Sequence, residues 1–349
     1  MTKLVILHSP ADGEELSLLP TRQRAFLDDE SRKIPHEASP AVNAVDGTQP
    51  PSLMFVWKGG VDDAMLQLSL TDDFATVERL EPSVPINEYY VATVSSLLPG
   101  ERYFWRIVAP YGTPLSATRS FAVKYELPRW ILAPKVTNVR DCGGWRAGEG
   151  ARVRFGMLYR GAQFEPWTWA EHRSPLTADG ERMLFDVLGI RTELDLRGGG
   201  KPVLERPGLR WVNIPVSAYC WSDNGIFTPE QMANYARIFQ LLSDADAYPI
   251  YFHCQGGGDR TGTLAFILGA ALGVSEEDLL MDYELSTLSL SGERTRFSTV
   301  WRGFRDRLGR DYPGSTLQGQ AISYLHACGV PDGTLEKVRS ILLKLPHKE

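Results

Sequence analysis

The residues best equipped for chemistry are Cys254 and Arg260, the ends of a C-x5-R span inside Tyr251-Phe-His-Cys-Gln-Gly-Gly-Gly-Asp-Arg-Thr-Gly262. Sulfur attacks as the thiolate, a form that a helix N-terminus and a neighbouring guanidinium both favour. A guanidinium can also hold two oxygens of one phosphoryl group at once, which a lysine cannot. Between the two lie Gln255, Gly256, Gly257 and Gly258, whose backbone can turn tightly enough to aim successive N–H groups at one point beside the dipole of the following helix. Such a nest suits a tetrahedral dianion. Thr261 and Gly262 close the loop and are expected to line the same site, with the Thr261 hydroxyl hydrogen-bonded to the sulfur.

The elements that must position this loop are legible on either side. The aromatic and β-branched run Tyr248 to Phe252 predicts a short buried strand, and Thr261 to Val274 predicts a buried helix. A C-x5-R spacing alone is weak in an arginine-rich chain with four cysteines. His253 before the cysteine, the glycines inside the loop and the Asp-Arg-Thr-Gly ending give it specificity. His253 is expected to fix the cysteine's backbone rather than act as a base, since the thiol needs none. A leaving alkoxide or phenolate needs a proton, and two aspartates compete to supply it: Asp259 within the loop, and Asp223 beside Trp221 on an upstream loop.

The string His253-Cys254-x-x-Gly257-x-Asp259-Arg260-Thr261-Gly262 resembles the signature of the bacterial cysteine-dependent tyrosine phosphatases. Asn138-Val-Arg-Asp-Cys-Gly-Gly144, Gly156-Met-Leu-Tyr-Arg160 and Leu188-Gly-Ile-Arg-Thr-Glu-Leu-Asp-Leu-Arg197 are similar to further segments of that branch, so the likeness spans about residues 135 to 290. It implies an α/β phosphatase domain with a central, mostly parallel sheet flanked by helices. It also implies a cysteinyl-phosphate intermediate on Cys254, Arg160 near the phosphate pocket, Asp259 as the acid, and no cofactor or metal. Asp195, at the end of a strand, could position an active-site arginine or form a plain Asp-Arg pair. Asn138 and Asp141 equally fit a structural corner. Gly258 stands where that branch often has lysine, which favours phosphotyrosine over a phosphoinositide or inositol phosphate as substrate.

The 349 residues are enough for two domains, with 43% hydrophobic residues to build their cores. A formal charge of −6 argues against a nucleic-acid or anionic-membrane partner. Cysteines 142, 220 and 328 are too scattered for a disulfide framework or a metal site, and Cys142 and Cys328 read as small buried hydrophobes. No run is long enough for a membrane span, the longest being Leu264 to Val274. The N-terminus lacks a signal peptide, although a leader removed beforehand would leave the same sequence, and an extracytoplasmic home is favoured over a cytoplasmic one.

Residues 1–126 predict an all-β sandwich like fibronectin type III. Strands are expected at Lys3–His8, Ser52–Trp57, Met65–Leu70, Glu88–Ser95, Tyr103–Ala109 and Ser120–Val123, with an amphipathic insertion over Glu14–Pro35. Leu97-Leu-Pro-Gly-Glu-Arg-Tyr103 is similar to that fold's entry into a late strand, with Tyr103 locking a corner, and Trp57 and Trp105 belong to the core. Such a module orients a neighbour or binds a partner or glycan. Proline-flanked 127–134 reads as a linker and 135–349 as the catalytic domain. The outstanding alternatives are a sulfurtransferase or arsenate reductase, which the single loop cysteine and Arg260-Thr261 disfavour, and a non-catalytic binding protein whose cradle merely holds an anion.

Overall fold

The structure is a computed structural model and describes residues 4–29, 50, 52–61, 63–80, 87–165, 176–219, 224–289 and 293–346. The chain divides into two compact units, one of residues 1–19 and 50–127, the other of residues 20–49 and 128–349.

The first unit holds strands β1 (Ile6–Ser9), β2 (Glu14–Leu16), β3 (Leu53–Lys58), β4 (Met65–Ser69), β5 (Glu78–Leu80), β6 (Tyr89–Val94), β7 (Arg102–Val108) and β8 (Arg119–Val123). They form two sheets, ordered β1-β3-β6 and β2-β8-β7-β4-β5. Alternation along the strands turns Phe55 and Trp57 from the first sheet, and Leu66, Trp105 and Phe121 from the second, into one buried cluster. The Tyr103 hydroxyl accepts a hydrogen bond from Leu98 N at 2.8 Å, pinning the turn that enters β7. The three-residue strands β2 and β5 were not expected, being too short to carry a period.

The second unit begins with helix α1 (Thr21–Asp28), whose Phe26 packs with Trp130, Leu285 and Leu288. The stretch expected as an insertion in the sandwich therefore belongs, from residue 20 on, to the other unit. The expected linker also folds into that unit beyond Leu127: Trp130 bridges to Arg140, and Ile131 and Ala133 are buried.

The remaining elements are β9 (Arg140–Asp141), β10 (Arg152–Val153), β11 (Leu158–Gly161), α2 (Ala178–Glu181, continued by a π-helical turn over Arg182–Val187), β12 (Thr192–Asp195), β13 (Arg210–Asn213), α3 (Pro229–Leu242), β14 (Ile250–His253), α4 (Arg260–Leu272), α5 (Glu276–Glu284), α6 (Thr299–Asp311), α7 (Leu317–Ala327), α8 (Asp332–Leu342) and β15 (Leu343–Lys344). Strands β13-β12-β14-β11-β9 form one sheet, parallel except at β9. Every residue of β14 is buried, as a central strand with helices on both faces requires. Tyr251 joins Phe164, Leu184 and Phe185 on one face. Phe252, one residue on, lines a small cavity with Leu158, Ala265, Leu268 and Leu272 on the other. Among the described residues no helix is long and apolar enough to cross a membrane.

Candidate active site

His253, the last residue of β14, is in register with Gly161 of β11 and Asp195 of β12, so the carboxyl ends of three parallel strands converge where the chain leaves the sheet. That is the ligand crevice of open α/β sheets. The next residue is Cys254, 3% exposed, and α4 starts at Arg260, 8% exposed.

The loop between them stands with its donors open. Among the described residues, the amides of Gln255, Gly256, Gly257, Gly258 and Asp259 donate no hydrogen bond, although all three glycines are buried. Buried backbone N–H groups are almost always paired, so three consecutive buried open ones, flanked by two that are partly buried, call for an external acceptor with several oxygens. Gly262, also expected to face the anion, instead donates its amide to Gly258 O at 3.0 Å. A side chain at 262 would press on Arg160 Nη2 and Tyr283, each 3.3 Å from the position of its Cβ. The Thr261 hydroxyl is buried without a hydrogen bond among the described residues, so the expected bond to the Cys254 sulfur is not made.

While its amides stay open, the loop's carbonyls are all held. Asn138 Nδ2 donates to Gly256 O at 3.1 Å, Arg160 Nη2 to Gly257 O at 2.8 Å, and Gln163 N to Gln255 O at 3.1 Å. Asn138 is oriented by Arg140, whose Nη1 donates to its Oδ1 at 2.5 Å. Both arginines are fully buried and share one carboxylate: Asp282 on α5 takes Arg140 Nε at 2.6 Å and Arg160 Nη1 at 2.5 Å. Burial acts to raise the Asp282 carboxyl, but the two guanidinium groups outweigh it and hold it below the usual carboxylate range. Arg160 thus reaches the site from behind, gripping loop backbone, where the resemblance placed it beside the phosphate.

The His253 ring is similarly occupied: Nδ1 meets Cys254 O at 3.0 Å and Nε2 meets the buried Glu193 Oε1 at 2.9 Å, so neither nitrogen addresses the sulfur. Asp195 is bound in two places by Arg197, Nε to Oδ1 at 2.8 Å and Nη2 to Oδ2 at 2.7 Å. It does not orient Arg260. Arg197 in turn donates to Gln163 Oε1 at 2.9 Å, reaching the loop through Gln163. Asp141 forms a structural corner, accepting from Gly143 N, Gly156 N and Arg129 Nη1 at 2.8 to 2.9 Å. Asp259 Oδ1 and Oδ2 accept from Arg294 Nε and Nη2 at 3.2 and 3.0 Å. Asp223, Trp221 and Cys220 lie outside the described residues. Burial pushes the thiols of Cys142 and Cys328 up, the latter to about 12, so neither is primed for attack. Among the described residues no cluster of His, Cys, Asp and Glu could hold a metal ion.

Sequence reasoning missed Glu193, Gln163, Asp282 and Arg294. Each comes from a segment far from the loop in the chain, and only the sheet register and the path after α5 bring them together. The pair Arg294 and Arg296 did carry a signal, two closely spaced cations that need carboxylates from elsewhere.

Gly257 is irreplaceable for two reasons. Its φ is +72°, and a Cβ there would stand 2.5 Å from the Gly161 carbonyl carbon, closer still to its oxygen, and 3.0 Å from Ala162 N. All three atoms are backbone and cannot step aside. Gly257→Ala is expected to lower stability by about 1–3 kcal/mol, the usual cost of such strain, and to remove turnover with it. Thermal melting and a phosphatase assay on the same preparation check this.

An α/β sheet whose central strand delivers a cysteine, a ring of open amides and an arginine to the head of a helix defines the class of cysteine-loop, oxyanion-binding proteins. The profile of the tyrosine phosphatase family matches residues 131–344, and the chain belongs to that family. Over 172 residues it is 30% identical to a provisionally named tyrosine-protein phosphatase of Cupriavidus necator, the match covering 42% of this chain and 59% of that protein. Among solved structures, the core catalytic domain of the PP-IP phosphatase SIW14 from S. cerevisiae in complex with citrate is matched over 49% of this chain and 91% of that one, at 14% identity and a TM-score of 0.31.

Proposed function

We propose that the chain is a phosphomonoester hydrolase of the protein-tyrosine phosphatase type. The observation that carries this reading is the run of open amides at 255–259, directly after a cysteine at the end of β14 and directly before Arg260. Cys254 Sγ attacks phosphorus in line, and the P–O bond of the ester breaks with its electron pair staying on the leaving oxygen. Asp259 gives that oxygen a proton. The loop amides and the Arg260 guanidinium hold the equatorial oxygens through both steps, so charge stabilisation by pre-aimed donors is the main catalytic contribution. Water then attacks the cysteinyl-phosphate, Asp259 takes its proton, and the P–S bond breaks to release phosphate and regenerate the thiolate.

Membership of the tyrosine phosphatase family and the glycine at 258 favour phosphotyrosine in a protein as the substrate. Turnover of a phosphotyrosine peptide in EDTA, followed by an acid quench that leaves a phosphate adduct on the peptide containing Cys254, tests the reading. Hydrolysis without such an adduct, or a requirement for a divalent ion, would overturn it. Inositol phosphates assayed in parallel separate the two substrate classes.

Asp223 and Asp259 are distinguished by leaving-group dependence. Asp259→Asn is expected to lower kcat for phenyl phosphate about 10²–10⁴-fold, the range of general acid catalysis, while sparing an activated dinitrophenyl ester. The same pattern in Asp223→Asn instead would move the acid to that residue.

The first unit is read as a fibronectin type III-like module that orients a neighbour or binds a partner or glycan. Its two-sheet core and the Tyr103–Leu98 hydrogen bond support the likeness in fold.

A further inference from the structure

The carboxylate assigned as the acid is already gripped. Asp259 meets Arg294 side-on, one oxygen to Nε and the other to Nη2, with the two side chains 23% and 16% exposed. The rest of Asp259 is also fixed, its carbonyl accepting from Thr263 N and Thr263 Oγ1, both at 2.8 Å. The direction of its carboxyl is therefore set chiefly by Arg294.

Arg294 is itself built into place. Thr287, in the turn that follows α5, accepts from Arg294 N at 2.9 Å and donates to Arg294 O at 3.2 Å. Two residues on, Arg296 donates its backbone N and its Nε to Glu284 Oε1, both at 2.9 Å, and its Nη2 to Oε2 at 2.7 Å. Glu284 is 1% exposed. Residues 294–296 are thus stapled to the end of α5, the helix whose Asp282 holds Arg160 and, through it, the Gly257 carbonyl. One continuous stretch of chain fixes both the loop's backbone and its one carboxylate. A pair that merely decorated a surface would not need two further clamps on the arginine's own segment.

We propose that Arg294 is the positioning residue for proton transfer: its fork aims the Asp259 carboxyl and yields one oxygen when the ester binds. This rests on the reading of Asp259 as the acid. A carboxyl that donates must present an O–H, and an oxygen that carries the proton is no longer anionic and accepts only weakly from the fork. Donation therefore converts the two-bond pair into a one-bond pair. Arg294 keeps one oxygen, and the other carries a proton drawn from solvent and delivers it to the leaving oxygen as the P–O bond breaks. That same oxygen recovers a proton from the attacking water as the P–S bond breaks.

The test measures kcat and KM for phenyl phosphate and for 2,4-dinitrophenyl phosphate across pH, in wild type, Arg294→Gln, Arg294→Lys, Asp259→Asn and the double variant Arg294→Gln/Asp259→Asn. Wild-type turnover of the dinitrophenyl ester establishes the phosphatase reading independently of Arg294. Arg294→Gln is expected to lower kcat for phenyl phosphate by about tenfold or more, as a misaimed catalytic group does, with less than about threefold change for the activated ester and little change in KM. Arg294→Lys, able to hold one oxygen, should recover part of the loss. The double variant should be no slower than Asp259→Asn alone, because residues acting through one group are not additive. Equal losses on both esters, a loss confined to KM, or additivity in the double variant would each overturn the proposal. Thermal melting of each variant separates these outcomes from unfolding: a melted Arg294→Gln leaves Arg294→Lys as the deciding protein, and full phenyl phosphate activity together with an unshifted pH profile in that variant overturns the proposal.

Discussion

Cys254→Ser is expected to lower kcat toward aryl phosphates by at least about 10³-fold, because the hydroxyl that replaces the thiol meets no activating base among the described residues. In serine hydrolases a histidine within hydrogen-bond reach removes the proton. Here the imidazole adjacent in the chain belongs to His253, and its two nitrogens are engaged by Cys254 O and by Glu193. Sulfur is intrinsically the stronger nucleophile, whereas a serine hydroxyl needs a neighbouring base to attack. The open amides are untouched by the exchange, so phosphate should inhibit the wild-type enzyme and bind Cys254→Ser with dissociation constants within a few-fold of each other. Retention of more than a tenth of wild-type turnover in Cys254→Ser would place the nucleophile elsewhere.

Asp282→Ala should cause the largest loss of stability. Arg140 and Arg160 are 0% and 1% exposed and both bond to this one carboxylate, itself 13% exposed at the side chain. Removing the shared partner leaves two buried cations together, a situation that costs about 3–5 kcal/mol when one half of a buried pair is deleted. In a unit of this size that corresponds to a fall in melting temperature of roughly 10 °C. The pH dependence gives a second readout. The folded Asp282 carboxyl is held below its unfolded range by the arginines, so its contribution is present above the unfolded value and is lost as pH falls through the lower folded one. Wild type should therefore lose this increment on acidification and Asp282→Ala should not. Turnover should fall as well, since Arg160 would no longer be held against Gly257 O. A melting temperature within about 2 °C of wild type would show that the buried arginines find other partners.

The parts of this site that were legible in the sequence are those written contiguously. Cys254, the glycines and Arg260 sit within one strand, one turn and one helix start, and local periodicity is enough to place them. Asp195 shows where that reach ends. Its position at the strand end was readable, but its partner was not, because the direction of Arg197 depends on the turn after the strand and on Gln163 from another segment. Arg160 likewise sat at the expected strand end, yet its guanidinium turns to Asp282 and to loop backbone, a choice made by α5. The same limit applies to the chain's organisation. Composition marked a β-rich first portion, but the affiliation of α1 was invisible, since Phe26 finds Trp130, Leu285 and Leu288 only in three dimensions.

That affiliation bears on how the protein can be dissected. The backbone passes between its two units at residues 19–20, 49–50 and 127–128, so no single cut yields both of them whole. A fragment starting at Pro128 would keep every residue of the cysteine loop yet lose α1, stripping Phe26 from Trp130, Leu285 and Leu288 and forfeiting about 1.5–3 kcal/mol of apolar burial. Leu285 and Leu288 border Asp282 and Thr287, the residues that steady Arg160 and Arg294. Shortened recombinant forms would thus be weakened next to the machinery they were made to isolate, and supplying residues 20–29 as a separate peptide is the natural way to mend them.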